Sequence, residues 1–179
     1  SGGKDYTDSE TGIAFIRSGN IDIDGDIDFE NLLYITPEIH NTRMKSSKIK
    51  KNDVMIAIVG ATIGQVGIYL SDKEANINQA IALVRVKEGI NSEYVKEVVN
   101  SSIGQLNLER LKRPVARANI NLEEIGSIII PFPDLDKQNE IVKNQNRIDT
   151  ATEESKKLTA EEQDIYYKKL LKDCKMKKK

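Results

Sequence analysis

Apolar positions recur with a period of two through the first half of the chain and with a helical period through the second. Phe15-Ile16-Arg17 reads as a strand. Beyond it Ile21, Ile23, Ile27 and Phe29 alternate with Asp22, Asp24, Asp26 and Asp28 about an Asp24-Gly25 pair, which predicts two short half-exposed strands joined by a tight turn, with the acids on the wet face. The unbroken run Val54-Met55-Ile56-Ala57-Ile58-Val59, closed by Gly60, predicts a central strand buried on both faces. Residues 66–70 and 81–86 are apolar runs that each follow after a turn, and the three runs are expected to pair. From Asn91 the period changes. Ser92 as a cap, with Tyr94, Val95, Val98, Val99, Ile103, Leu106 and Leu108, predicts an amphipathic helix, and residues 128–130 predict a last short strand.

A rigid Pro131-Phe132-Pro133 turn then opens a long charged helix over residues 136–172. On a seven-residue count Ile141, Ile148, Ser155 and Glu162 share one seam position, and Asn144, Ala151, Leu158 and Ile165 share the other. The seam is half polar, which predicts packing against a partner beyond a simple coiled coil; the alternative is a solvated helix folded back on its own domain. Lys168, Lys169, Lys172, Lys175 and residues 177–179 gather positive charge at the helix end, where it suits the helix dipole. The expected architecture is α+β: a compact domain built on a mixed or antiparallel sheet over residues 1–134, then a coiled-coil-type helix with a basic tail over 135–179.

Composition narrows the function classes. A net charge of -1 over 179 residues means that affinity for a polyanion must come from local patches. The single Cys174 excludes a disulfide framework and a cysteine-built zinc site, and the single His40 argues against a histidine metal site or a Ser-His-Asp triad. No apolar run reaches eighteen residues and no charged-then-apolar leader opens the chain, so the expectation is a cytoplasmic protein without a membrane partner. The aspartates at 22, 24, 26 and 28 do not form a calcium loop, because Gly25 is misplaced and no glutamate stands at the twelfth position. Asp134 with Glu140 and Lys143 has the wrong spacing for a nuclease, and Gly60-Ala61-Thr62-Ile63-Gly64-Gln65-Val66-Gly67 lacks the Gly-Lys-Ser/Thr ending of a nucleotide loop. No catalytic residue, metal site or cofactor is expected. Binding is better supported. Arg43-Met44-Lys45-Ser46-Ser47-Lys48-Ile49-Lys50-Lys51 carries five basic residues and no acid, and Arg110, Lys112, Arg113 and Arg117 surround Pro114 in an expected loop. Such loops hold phosphates, while Arg, Asn and Gln, here including Asn76, Asn78, Gln79, Asn119 and Asn121, can bond base edges.

Five ordered segments resemble the target recognition domain of type I restriction-modification specificity subunits. They are Gly12-Ile13-Ala14-Phe15-Ile16-Arg17-Ser18-Gly19-Asn20-Ile21; Ile49-Lys50-Lys51-Asn52-Asp53-Val54-Met55-Ile56 leading to Gly60-Ala61-Thr62-Ile63-Gly64; Asn76-Ile77-Asn78-Gln79-Ala80-Ile81; Ala116-Arg117-Ala118-Asn119-Ile120-Asn121; and Ile130-Pro131-Phe132-Pro133 with Gln138 and Ile141-Val142. The resemblance covers residues 12–148. It implies a domain that reads one half of a split site in double-stranded DNA and a spacer helix that also docks methyltransferase subunits; DNA methylation and cleavage would belong to these and to a restriction subunit. A helix of about 37 residues spans about 55 Å at 1.5 Å per residue, enough to separate two half-sites by more than one turn of DNA. A complete specificity subunit carries two recognition domains and two spacer helices, whereas one of each is visible here and no internal repeat exists. The chain is therefore expected to be a half-size subunit that dimerises, one half of a full subunit, or the recognition module of a fused methyltransferase-endonuclease; a coiled-coil scaffold that binds no DNA is the rival reading. On the resemblance, Gly60, Gly64, Pro131 and Pro133 shape the fold and Gln138 belongs to the helix start. Base and phosphate contacts are expected from Arg43, Lys45, Ser46, Ser47 and Lys48, then Arg113 and Arg117, Asn78 and Gln79, and Arg17 and Asn20. Partner contacts are expected from Ile141, Ile148, Ala151, Leu158 and Ile165.

Overall fold

The computed structural model describes residues 4–112 and 118–176. In chain order its elements are β1 (Tyr6–Thr7), β2 (Ile13–Ile16), β3 (Leu33–Ile35), α1 (Pro37–Asn41), β4 (Lys48–Ile49), β5 (Val54–Ala57), β6 (Val66–Ile68), β7 (Ala75–Ile77), β8 (Ile81–Val84), α2 (Ser92–Asn100), α3 (Ser102–Leu111), α4 (Leu122–Gly126) and α5 (Leu135–Met176), with 3-10 turns at Ser18–Asn20, Lys45–Ser47 and Gly60–Thr62. The chain is α+β: sheets and short helices, then one long helix. It divides into two compact units after Gln138.

The first unit is layered. Five strands form a mixed sheet in the order β1-β3-β2-β7-β4, and three form an antiparallel sheet in the order β6-β5-β8. The smaller sheet is the middle layer, and the alternation along its strands shows why. Val54, Ile56 and Ile58 enter a core cluster with Val95 and Val99 of α2, Leu108 of α3 and Ile125 of α4, whereas Met55 enters a second cluster with Ile16, Ile49, Ala75 and Ile77 of the larger sheet. A strand with apolar neighbours on both faces has no position for a polar side chain, which is why this run reads as continuous rather than alternating. The expected pairing of residues 54–59 with 66–70 and 81–86 is what β5, β6 and β8 form, with Met55 opposite both Gly67 and Leu83. The segment between the last two is more than a turn, since it contributes β7 to the other sheet.

Four local expectations are corrected. The acidic segment forms a tight turn at Gly25, whose φ is 87°, and the acids are exposed; however, no strands flank the turn, only an isolated bridge between Ile21 and Ile27. Side chains have taken over the backbone donors there: Asp22 Oδ1 accepts from the N–H groups of Asp24 and Asp26, and Asp28 Oδ1 from those of Glu30 and Asn31. Such local bonds compete with a ladder, and the Asn31 amide also holds the Asp28 carboxyl below the usual carboxylate range. The expected single helix after Asn91 is two, α2 and α3, broken at Ser101, which is extended (φ -60°, ψ 159°) and caps α3 by accepting from the Gly104 N–H. Its first cap is Asn91 rather than Ser92. Residues 128–130 make no strand, although Ile128 and Ile130 pack on the core and Ile129 is exposed. The basic segment expected as a loop instead runs through the turn Lys45–Ser47 into strand β4, and Arg110 lies within α3.

The start of α5 is fixed by Gln138, which is fully buried. Its Oε1 accepts from the Asn91 N–H at 2.9 Å, so the last framework motif is tied to the cap of α2, and its Nε2 donates to the Pro133 carbonyl at 2.8 Å. Tyr94 adds a bond from its hydroxyl to the Pro131 carbonyl, and Asp134 caps the new helix by accepting from the Lys137 N–H. Gln138→Met keeps the volume and removes both bonds. It is expected to cost about 1–3 kcal/mol for each buried partner left unpaired, read as a lower urea midpoint.

Candidate nucleic-acid interface

The larger sheet carries the polar residues, and its register brings separate segments to one end. β2 and β7 are parallel with Ile16 opposite Ile77, so the residues that follow, Arg17 and Asn78, emerge side by side about 4.8 Å apart. The Asn78 N–H donates to the Ile16 carbonyl at 3.0 Å and continues the ladder. Asn78 Oδ1 then accepts from the Ala80 N–H at 3.2 Å, an Asx turn that reverses the chain into β8 and leaves Gln79 exposed at its tip. Arg17 is exposed as well. Asn20, expected beside it as a contact, is 3% exposed; its Oδ1 accepts from the Arg17 N–H and its Nδ2 donates to the Asn31 carbonyl. Asn20 therefore holds the turn that presents Arg17.

On the other side of β7 lies β4, antiparallel, with Lys48 opposite Asn76. Asn76 is fully buried, and all its polar atoms are engaged. Nδ2 donates to the Met44 carbonyl at 2.7 Å and to Ser47 Oγ at 2.9 Å, and Oδ1 lies 2.5 Å from His40 Nδ1. With the amide so oriented, His40 must carry its proton on Nδ1. One side chain thus grips both ends of the basic turn and the helix before it. Lys45 and Ser46 are left exposed at its crest. Ser47 is tied down, donating to Met44 as well as accepting from Asn76, and Lys48 donates to Asn41 Oδ1 at 2.8 Å. The Arg43 guanidinium is ion-paired with Asp5. Sequence reading grouped these five residues as equivalents, and the structure separates them.

A third segment joins the same end. The Ile58 N–H donates to the Ala80 carbonyl, the Gly60 N–H to the Ala118 carbonyl and the Ile120 N–H to the Ile58 carbonyl. Gly60 and Gly64 have φ of 80° and 97°, a region closed to most side chains, and Gln105 locks the turn by donating to the Gly64 carbonyl at 2.9 Å. The motif segments around 16–20, 58–64, 76–80 and 118–120 are thus neighbours held by main-chain bonds. Arg113 and Arg117 lie outside the described residues. Of the expected helix contacts Ile141 is half-buried, and Ile148, Ala151, Leu158 and Ile165 are exposed. Among the described residues Asp53 is a buried carboxylate, which takes two bonds from Arg85, at 2.8 Å to Oδ1 and 2.5 Å to Oδ2, and one from the Lys50 N–H; that carboxylate in turn raises the Arg85 pKa. It is a structural anchor for β5 and β8. Among the described residues no three His, Cys, Asp or Glu side chains gather as a metal site would require, and no helix is long and apolar enough to cross a membrane.

An exposed guanidinium, an amide, a hydroxyl and an ammonium gather at one sheet end, and the relatives of the chain give that surface its context. The chain belongs to the type I restriction modification DNA specificity domain family, which it matches over residues 8–162. It is 33% identical over 142 residues to the type I restriction enzyme EcoBI specificity subunit of Escherichia coli, covering 79% of this chain and 29% of that protein. The fold is shared with the HsdS subunit of Thermoanaerobacter tengcongensis, at a TM-score of 0.67 and 17% identity over 88% of this chain and 42% of that one. It is shared also with a chain from a structure of type I R-M complex assembly and conformational transition, at 0.64 and 15% over 90% and 37%. The chain therefore spans less than half the length of each of these relatives.

The division between framework and exposed residues is testable by stability. Asn76→Ala is expected to lower unfolding free energy by about 1–3 kcal/mol for each buried group it strands, whereas Arg17→Ala and Gln79→Ala should each stay within about 0.5 kcal/mol of the parent in urea denaturation.

Proposed function

We propose that this chain is a DNA target recognition module of a type I restriction-modification system, reading one half of a split duplex site on behalf of methyltransferase and restriction subunits. The observation that carries the reading is the convergence of Arg17, Gln79, Lys45 and Ser46 at one sheet end, in a chain of the specificity-domain family. Arg17 and Gln79 have the planar donor and acceptor groups that match guanine and adenine edges in the major groove, and Lys45 and Ser46 suit phosphates. Asn20, Ser47 and Asn78 support the surface rather than read it, and Arg43 joins it only if Asp5 releases it. Catalysis on this reading belongs to partner subunits, or to a domain fused to this one.

The helix α5 supplies the second half of the function. Its 42 residues extend about 63 Å at 1.5 Å per residue. Ile148, Leu158 and Ile165 are each more than half exposed along it, an apolar seam that suits a second spacer helix, from another copy or from the rest of a longer subunit, and a methyltransferase surface.

Selection from a pool of random duplexes is expected to return a short half-site. Arg17→Ala should then relax one position of it at a cost of about 1–3 kcal/mol, while Lys45→Ala should weaken every sequence alike and lower the salt slope by about one. A pool with no enrichment, and affinity that salt does not alter, would favour the scaffold reading. The helix is tested separately: Ile148→Asp with Leu158→Asp should abolish self-association in light scattering, or capture of methyltransferase subunits where the chain alone is a monomer.

A further inference from the structure

The opposite end of β4 and β7 holds a second feature that the base-reading surface leaves unused. A cleft of about 290 Å³ opens there between α1, β4 and the segment entering β7. Its floor is His40, 1% exposed, whose Nε2 has no hydrogen-bond partner. The ring cannot turn away, because Asn76 holds Nδ1. Four lysines, at 48, 50, 51 and 73, line the walls against two carboxylates, Asp72 and Glu74. Asp72 is neutralised by Lys51 at 2.9 Å. Glu74 stands 3.4 Å from His40 Nε2, an ion pair only when the ring is protonated, and its side chain is 71% exposed and free to swing out. Lys48 keeps its charge against a neutral amide, and among the described residues Lys50 and Lys73 have no ion-pair partner. The cleft is thus cationic in excess, with one directional group fixed at its base.

We propose that this cleft binds a phosphate group, which on the DNA-recognition reading above is a phosphodiester of the duplex backbone. Lys50 and Lys73 supply the charge, and protonated His40 donates from Nε2 to a phosphate oxygen that displaces Glu74. A phosphate offers several acceptor oxygens at once, which two ammonium groups and a fixed ring donor can share. The geometry agrees with a duplex ligand. Glu74 and Asn78 flank the three residues of β7, about 13 Å apart at strand spacing and close to the width of the major groove, so a groove entered by Arg17 and Gln79 has a backbone within reach of the cleft.

His40 is the one histidine of the chain, so its imidazole resonance in a proton–carbon NMR spectrum needs no assignment. Titration with a duplex of arbitrary sequence near pH 6 is expected to shift that resonance to saturation. The double variant Lys50→Gln, Lys73→Gln, which leaves the His40–Asn76 contact intact, should lower the salt slope of binding by about 1.8 for all sequences without altering the melting temperature. An unmoved imidazole and an unchanged slope, while fluorescence anisotropy shows the duplex bound, would overturn the site and leave base reading intact. A resonance moved by inorganic phosphate, with no duplex bound at any salt, would uphold the cleft as a phosphate site and overturn the DNA reading instead.

Discussion

The fold rests on a strand with no free face. Every side chain of β5 is enclosed, Val54 and Ile56 by the helices and Met55 by the larger sheet, so the middle sheet cannot present chemistry on its own surface. What it can do is fix where its ends go. The hydrogen bonds that continue β5 past its last paired residue, from Ile58 to Ala80 and from Ile120 and Gly60 to their carbonyl partners, gather the loops of the domain at one end. Polar function is displaced to strand ends because apolar burial has claimed the strands themselves.

Buried polar groups then act where apolar packing lacks direction. An amide such as that of Asn76 is costly to bury unless all its bonds are made, and this very condition singles out one position for the helix, the turn and the strand that supply its partners. The Asp53 carboxylate does the same for β5 and β8 through Arg85. Gln138 does it for the double-proline segment and the cap of α2. Each of the three sits inside or beside one of the segments on which the family resemblance rests, which gives those segments a physical reason: they contain the groups that align the frame.

The elements that were legible from sequence are those governed by periodicity. The central strand and its two neighbours, the amphipathic face after Asn91 and the long last helix all follow from patterns of apolar residues. What was not legible depends on non-local partners or on side chains competing for the backbone. β7, three residues long with an asparagine at its centre, reads as a polar loop until β2 and β4 are seen on either side. The aspartates at 22 and 28 alternate like a strand but spend their carboxylates on local N–H groups. Residues 128–130 alternate in burial without a neighbouring strand to bond. At the sheet end, Arg17 and Gln79, expected from sequence as polar residues near strand ends, are exposed there. Asn20 and Ser47 look no different in sequence, and only the chain eleven residues on from Asn20, or twenty-nine on from Ser47, explains why they face inward. His40 gave no signal at all, since a lone histidine in a short helix carries no pattern.

The frame around the sheet end is made of main-chain bonds, glycines and buried amides, while the residues at its crest make no bond that the frame needs. Arg17, Gln79 and the adjacent pair Lys45 and Ser46 can be exchanged for other polar residues at little energetic cost, and in any combination, because they sit on three separate segments. Such a scaffold works as a set of interchangeable letters on a fixed rail. Substitution at a few positions can therefore change the polar face of the domain without passing through an unfolded intermediate.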